Sequence, residues 1–290
     1  MKHPRKLRTL FDPDYLGHRP VVRKYSGYPY PFIVRWIEHN ADERFDDIEW
    51  SAFSDVLELE NHIYFGSYAQ IAGPITLRIA GEKPITLDRA KSPKYLPVFV
   101  DRDALEICKC TADGVLFVER LPPSHVEQLL LSKEWKKLNW IFLSGGCLPR
   151  APLRRMLSRL SEEYRLPVYA LTDNDTWGYF ALSMLNRGAL APHEQCPLLA
   201  VKKVRWLGIK SMQIKDSDLL RPWKGNWEKR LKFLKAYSCF RNPRWKREFI
   251  NFERQHAKAE LTPILNKLGA DRFVAECIAA KIKAKDWLIV

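Results

Sequence analysis

Apolar runs alternate with amphipathic segments through the middle of the chain, a pattern typical of an α/β sheet. Residues 151–164 carry apolar positions at helical spacing, and residues 178–187 form another predicted helix that ends at Gly188. Continuous apolar runs of strand length, as expected for parallel strands buried on both faces, occupy residues 115–119, 139–145 and 166–173. The pattern therefore predicts a parallel sheet flanked by helices.

A further helix is predicted over residues 124–135, where Ser124 and Glu127 have the spacing of a capping box. Upstream, two β-branched runs in residues 74–88 surround Gly81 and predict a hairpin. Beyond residue 242 the pattern predicts helix to the end of the chain, with breaks near Pro263 and Gly269.

These patterns divide the chain into three parts. Residues 1–104 form a small β-containing N-terminal region, predicted as a degenerate or truncated DNA-binding domain followed by the hairpin. Residues 105–200 form the α/β core. Residues 201–290 form a basic helical extension that we predict to belong to the same domain as the core.

The chain carries a net charge of +14 and has a pI near 9.5, which indicates a polyanionic partner. The excess is concentrated in residues 201–254, which hold 16 Lys and Arg against 5 Asp and Glu. Aromatic residues interleaved with these charges either stack on bases or pack in the core, and we favour packing. The residues predicted to contact DNA phosphates are Lys202, Lys203, Arg205, Lys229, Arg230, Lys232, Arg244 and Arg247.

No apolar run reaches the roughly 18 residues that a membrane-spanning helix needs, and the basic N-terminus has no apolar segment typical of a signal peptide. We therefore expect a protein that has no membrane partner and acts in the cytoplasm. In a prokaryote it would be associated with the nucleoid, and in a eukaryote it would be nuclear.

Acidic residues end two of the predicted parallel strands. Glu119 closes one strand, and Asp173 and Asp175 follow another. Active sites of open α/β sheets lie at these carboxyl ends. Mg²⁺, or Mn²⁺ in its place, prefers such hard oxygen ligands, so the three acids form a candidate metal site. Taken alone, the Asp-Asn-Asp sequence after a strand also fits a hydrated turn with a helix N-cap.

The segments that carry these acids are GVLFVER, which contains Glu119, and LPVYALTDNDTWGYFALSMLNRGAL, which contains Asp173 and Asp175. They resemble the Toprim domain, and more narrowly the A subunit of type IIB DNA topoisomerases (topoisomerase VI) and the related meiotic double-strand-break protein. Between them, SGGCLPRAPLRRMLSRL resembles the family's glycine–proline loop, and the arginine that follows falls on Arg154. The resemblance covers roughly residues 45–290.

The resemblance implies a Toprim-type sheet and a Mg²⁺-dependent protein that binds and cleaves duplex DNA. Asp173 and Asp175 would hold the metal, Glu119 would be a further ligand or a general acid/base, and Arg154 would stabilise phosphate charge. The candidate partners that it implies are a second copy of the chain, in a homodimer, and an ATPase B-type subunit. Two alternatives stay open: a DNA-clamping subunit that does not cleave and acts with a partner chain, and a Toprim nuclease that uses water.

The family's nucleophile is a tyrosine on a helix of an upstream winged-helix domain, and this chain has no clear match to that motif. The candidates Tyr25, Tyr28 and Tyr30 have a different spacing, and Gly27 and Pro29 disfavour a helix there. We interpret the three as packing residues in an extended segment, and the nucleophile is left unassigned.

We predict that replacing Tyr25, Tyr28 or Tyr30 singly with Phe leaves DNA cleavage intact. A tyrosine nucleophile must be held in line with the phosphate, and a misplacement of about 1 Å costs about a hundredfold in rate. Plasmid cleavage and duplex binding should be measured for each variant. A Phe variant that binds DNA normally but no longer cleaves it would identify the nucleophile and refute this interpretation.

Overall fold

A computed structural model describes residues 69–87, 93–96, 104–145, 148–188, 196–223 and 227–290. Tyr25, Tyr28 and Tyr30 lie outside these described residues, as does the predicted N-terminal region up to residue 68.

The described strands are β1 (Gln70–Ala72), β2 (Ile75–Ile79), β3 (Ile85–Leu87), β4 (Lys94–Tyr95), β5 (Leu105–Cys110), β6 (Gly114–Val118), β7 (Trp140–Ser144), β8 (Val168–Leu171), β9 (Val204–Gly208), β10 (Leu220–Pro222), β11 (Ala257–Ala259) and β12 (Leu288–Ile289). The α-helices are α1 (Pro123–Leu131), α2 (Lys133–Lys136), α3 (Ala151–Glu163), α4 (Thr176–Arg187), α5 (Trp227–Ala236), α6 (Pro243–Gln255), α7 (Leu261–Leu268), α8 (Ala270–Phe273) and α9 (Ala280–Lys283). A π-helical turn, Val274–Ala279, joins the last two, and short 3₁₀ turns span Ser211–Gln213, Ser217–Leu219 and Ser238–Phe240.

The central sheet has seven strands in the order β12-β9-β8-β6-β7-β1-β4. Its four middle strands are parallel, whereas β1, β4 and β12 pair antiparallel at the edges. Helices connect the parallel strands, which confirms the predicted α/β architecture. The predicted hairpin is confirmed too: β2 and β3 pair antiparallel on either side of Gly81, and β5 joins them in a separate three-stranded sheet.

Both faces of the central sheet are covered, which is why its parallel strands read as continuous apolar runs. Val115 and Phe117 point to one face, where they join a core with residues of α3 and α4. Leu116 and Val118 point to the other, where they join α1, α2 and the C-terminal helices. All four side chains are fully buried, so the sheet is held by packing from both sides.

The aromatic residues of the basic segment, residues 201–254, mostly form core, as favoured from the sequence. Trp245, Phe249 and Phe252 are spaced along one face of α6 and are fully buried. They surround the ring of Tyr179 in α4 at centroid distances between 5.1 and 5.9 Å. Phe233 is an exception, with 37% of its surface exposed.

The helix predicted over residues 124–135 was wrong in two respects. The helix expected over residues 124–135 breaks at Ser132, whose hydroxyl caps α2 by accepting the Trp135 N–H at 3.0 Å. The capping box is absent, because the residue at the N-cap of α1 is Pro122.

The C-terminal part is not wholly helical, since β11 and β12 interrupt and end it. Pro263 lies in the first turn of α7, where a missing N–H is tolerated, whereas Gly269 does end that helix. None of the helices in the described ranges has the length and apolar character that crossing a bilayer requires.

Candidate active site

The carboxyl ends of β6 and β8 bring the predicted acids together. These strands are parallel neighbours, so the residues that follow them meet at one edge of the sheet. Glu119 directly follows β6 and is 4% exposed. Its Oε2 accepts a hydrogen bond from the backbone N–H of Asp173 at 3.0 Å. Glu119 therefore fixes the backbone at Asp173, where the second acidic segment begins.

Asp173, Asn174 and Asp175 form what we call the acid turn. Asp175 is the N-cap of α4: its Oδ1 accepts the N–H groups of Trp177 at 2.9 Å and Gly178 at 2.8 Å. The N-cap interpretation of this motif is thus correct for Asp175. The Oδ1 of Asp173 accepts the backbone N–H of Leu261 at 2.7 Å, so a distant segment of the chain also holds the turn.

Gly178 allows the first turn of α4 to lie against the acids. A Cβ placed on it would lie 2.2 Å from the carbonyl oxygen of Asp173 and 3.1 Å from the Oε2 of Glu119. The first distance is shorter than any real contact, and the atom it meets is backbone, so a side chain here would displace the acid turn.

Asn174 points away from its two acidic neighbours into the core, where it is completely buried. Its amide donates to the carbonyl of Ile209 at 2.8 Å, to the Tyr179 hydroxyl at 3.0 Å and to Glu248 at 3.3 Å. Glu248, itself buried in α6, also accepts the backbone N–H of Ser211 at 2.8 Å and its hydroxyl at 2.9 Å. This network anchors the acid turn to α6.

Burial sets the charge state of the acid turn. It is the main cause that raises the pKa of Asp173 to about 7, opposed by the Leu261 N–H and reinforced by the charge of Asp175. Burial likewise raises the pKa of Asp175, against the N–H of Gly178. Each carboxyl group therefore holds its proton more tightly than an exposed aspartate unless a cation compensates it.

Sequence reasoning missed three residues around the acid turn. Lys258 in β11 forms an ion pair with Glu260, and both charges act on the two aspartates. The signal was the alternation of small apolar and charged residues in residues 257–260, which is a strand pattern inside a predicted helix. Glu248 was detectable as an acid on the apolar face of an amphipathic helix.

The donor set fits a divalent cation at the two aspartates. Each uses Oδ1 for backbone N–H groups, and its Oδ2 accepts no hydrogen bond from the described part of the chain. Hard carboxylate oxygens whose burial calls for a cation are what Mg²⁺ takes. Within the described ranges, however, no three His, Cys, Asp or Glu side chains are close enough to hold one ion, so Glu119 does not complete a three-ligand set.

Arg154 lies in the first turns of α3 and is completely buried. Its guanidinium donates to the carbonyl of Pro149 at 2.7 Å, in the loop that precedes the helix. This contact ties Pro149 to the first turn of α3. A direct contact between Arg154 and a phosphate stays a prediction from the family resemblance.

The predicted DNA-contacting residues lie on several elements. Arg230 of α5 is beside the acid turn: it donates to the Thr176 hydroxyl at 3.0 Å and stacks 4.2 Å above the Trp177 ring. Arg205 is half-buried near the rings of Tyr169 and Trp287. Exposed positions hold Lys202, Lys203, Lys229, Lys232, Arg244 and Arg247.

Comparisons with known proteins identify relatives of this chain. The family model for the Toprim domain of Spo11 and of the topoisomerase 6 A subunit matches residues 114–282. The A subunit of Type 2 DNA topoisomerase 6 from Aeropyrum pernix is 28% identical over 97% of this chain and 74% of its own length. That of Sulfurisphaera tokodaii is 25% identical over the same shares.

The meiotic recombination protein SPO11-1 of rice is 29% identical over 49% of this chain and 36% of its own length. The archaeal matches extend further along the chain than the resemblance over residues 45–290 that the motifs indicated.

We predict that Asp173 makes metal-free stability depend on pH. Folded Asp173 keeps its proton up to about pH 7, whereas the unfolded side chain loses it near 3.8. The folded state thus binds more protons between these values, so the free energy of unfolding falls as the pH rises through this window. Asp173→Asn cannot lose a proton, so its free energy of unfolding should rise relative to wild type in this pH window. The gain should be up to about 1.4 kcal/mol per pH unit.

The measurement is urea unfolding in EDTA at pH 5 and pH 7.5. Asp113→Asn, at an exposed aspartate, is the matched control and should follow wild type. If the free energies of unfolding of Asp173→Asn and wild type differed by the same amount at both pH values, burial of the Asp173 carboxylate would not cause the pH dependence.

Proposed function

The chain belongs to the family of Toprim domains found in Spo11 and the topoisomerase 6 A subunit, and from that membership we propose that it is a metal-dependent enzyme that breaks and rejoins DNA strands. The observation that carries the proposal is the acid turn: two half-buried aspartates from one strand end, beside buried Glu119 from the neighbouring strand end. The archaeal relatives, named for DNA topoisomerase 6, support DNA as the substrate.

In the proposed reaction, an oxygen nucleophile forms a new bond to phosphorus, and the bond from phosphorus to a deoxyribose oxygen breaks. The nucleophile gives up its proton, and the leaving oxygen takes one. Glu119 is the proposed general acid/base for these transfers. If the nucleophile is a tyrosine, the phosphotyrosine bond keeps the energy needed for rejoining; if it is water, the protein is a nuclease.

Asp173 and Asp175 would hold the metal through the oxygens that make no described hydrogen bond. A bound Mg²⁺ or Mn²⁺ would supply neutralisation of the charge that develops on the phosphate. The chain's own part is to bury and orient these ligands. Asn174 and the cap of α4 fix their direction.

Duplex DNA is the proposed main partner, bound through the exposed cations of the basic segment. The further partners that family membership favours are a second copy of the chain, in a homodimer, and an ATPase B-type subunit. The compartment is proposed to be the cytoplasm, at the nucleoid, in a prokaryote, or the nucleus in a eukaryote.

Incubation with supercoiled plasmid and Mg²⁺, followed by gels with and without protease, tests the function. We expect cut DNA in both the wild type and the Tyr variants, and none in the double variant Asp173→Ala/Asp175→Ala. Cut DNA released only by protease indicates a covalent phosphotyrosine, and protease-independent nicks indicate hydrolysis. Binding without any cleavage, with every candidate partner chain supplied, would instead support a DNA-clamping subunit.

We predict that DNA binding depends on salt through the exposed face of α5. Each phosphate contact that is lost lowers the log–log salt slope by about 0.9. Lys229→Glu together with Lys232→Glu should therefore flatten the slope, measured by fluorescence anisotropy on a duplex. Lys109→Glu together with Lys136→Glu makes the same charge change at exposed positions outside the basic segment. Equal slopes for the two double variants would place the DNA elsewhere.

A further inference from the structure

The acid turn pairs with β11 along its free edge. The backbone N–H of Asn174 donates to the carbonyl of Ala259 at 2.8 Å, and the N–H of Ala259 donates to the carbonyl of Asn174 at 3.3 Å. The two residues thus form an antiparallel bridge. In such a pairing the flanking residues also face each other. Lys258 therefore lies opposite Asp175, and Glu260 lies opposite the other aspartate of the turn.

Alternation along the two segments puts these four charged side chains on one face. Asn174 and Ala259 are completely buried on the core side, so the side chains of their neighbours point the other way. Directly opposed side chains of this kind have Cβ atoms about 4.5–5.5 Å apart. The hydrogen bond from the Leu261 N–H to Asp173 ties the two segments together one residue further on.

Resting on the proposed function, we propose that Lys258 is a further catalytic residue that contacts the reacting phosphate, and that Glu260 is the positioning residue that holds its ammonium. The side chains of Lys258 and Glu260 are 32% and 38% exposed, so both reach solvent at the mouth of the site. Arg154, by contrast, has no exposed surface.

Charge explains why a cation is needed at this place. Glu119, the two aspartates and Glu260 are four carboxyl groups around a position that must accept an anionic phosphate. Lys258 faces one of them, Asp175, across the bridge. Its hydrogen bond with Glu260 is the largest cause that raises the pKa of the ammonium, with smaller contributions from the charges of Asp175 and Asp173, so it stays charged at neutral pH.

The cationic row continues outward from Lys258. In the register of β10 against β11, Arg221 lies directly opposite Lys258, on the side away from the acid turn. Asp175, Lys258 and Arg221 thus follow one another across three adjacent segments, and Arg221 is exposed. A DNA backbone that enters the acid turn along this row would meet positive charge at each step.

The test uses the full chain and compares Lys258→Met, which keeps the length of the side chain, with Lys258→Arg, which keeps its charge. Loss of one preorganised group that stabilises the phosphate should slow plasmid cleavage by about 100-fold. Lys258→Arg should restore a large part of the rate. Lys267→Met, at an exposed lysine of α7 paired with Asp216, is the matched control and should cleave like wild type.

Mn²⁺ binding without DNA, followed by electron paramagnetic resonance, separates a phosphate contact from a merely structural role. Lys258→Met should bind Mn²⁺ at least as tightly as wild type, because a neighbouring positive charge has been removed. Loss of Mn²⁺ affinity together with cleavage would mean that Lys258 serves the acid turn and not the phosphate, which overturns the proposal. Cleavage at the wild-type rate would overturn it as well.

Failure of the proposed function gives a different result. If the wild-type chain cuts no DNA, that function has failed, and the contact of Lys258 is judged by duplex affinity in Mn²⁺. Lys258→Met must then bind duplex DNA more weakly than Lys267→Met. Equal affinities would overturn the proposal independently of any cleavage.

Discussion

The buried amide of Asn174 holds the acid turn in place, and the geometry of the site depends on it. Its side chain donates to Ile209 after β9 and to Glu248 in α6, while its backbone pairs with Ala259 in β11. A buried polar group that lost such partners would cost about 1–3 kcal/mol. Because Asn174 has partners from three distant segments, the aspartates on either side of it have a fixed direction.

This anchoring makes the C-terminal part of the chain a component of the site. Apart from Glu119, the segments that hold the acid turn come from residues 209–211, 248 and 259–261, which lie beyond the predicted core of residues 105–200. β9 and β12 also complete the central sheet. The extension therefore does two things at once: its apolar face builds the support of the acids, and its exposed face carries the positive charge.

The middle of the fold was predictable because its signals are local and repeated. A strand buried on both faces is an uninterrupted apolar run, and α3 and α4 have their apolar residues at helical spacing. Glu119 and the acid turn followed from these strands, since acids at the ends of buried strands stand out against apolar sequence. The chemistry of the aspartates could thus be inferred without knowing what surrounds them.

The remaining parts were not predictable because their causes lie far away in the sequence. β11 has three residues and β12 has two, so their pairing with β10 and β9 decides their conformation more than their own sequence does. At the break in the predicted helix, the Ser132 cap of α2 is local, but the carboxylate of distant Asp271 also accepts the N–H of Lys133 at 2.7 Å. Lys258 was missed for the same reason: its place in the site depends on one bridge between residues 85 positions apart.

The negative charges of the acid turn are balanced by different groups before and after a ligand binds. Without a ligand, burial favours the protonated acids, and the ion pair of Lys258 with Glu260 places a positive charge near them. A divalent cation at the aspartates would displace the proton and repel the ammonium. An arriving phosphate would then satisfy both the metal and Lys258, because it brings the negative charge that each lacks. In the proposed reaction, the acids, the bound cation, Lys258 and the phosphate would therefore balance one another's charges only when all of them are present.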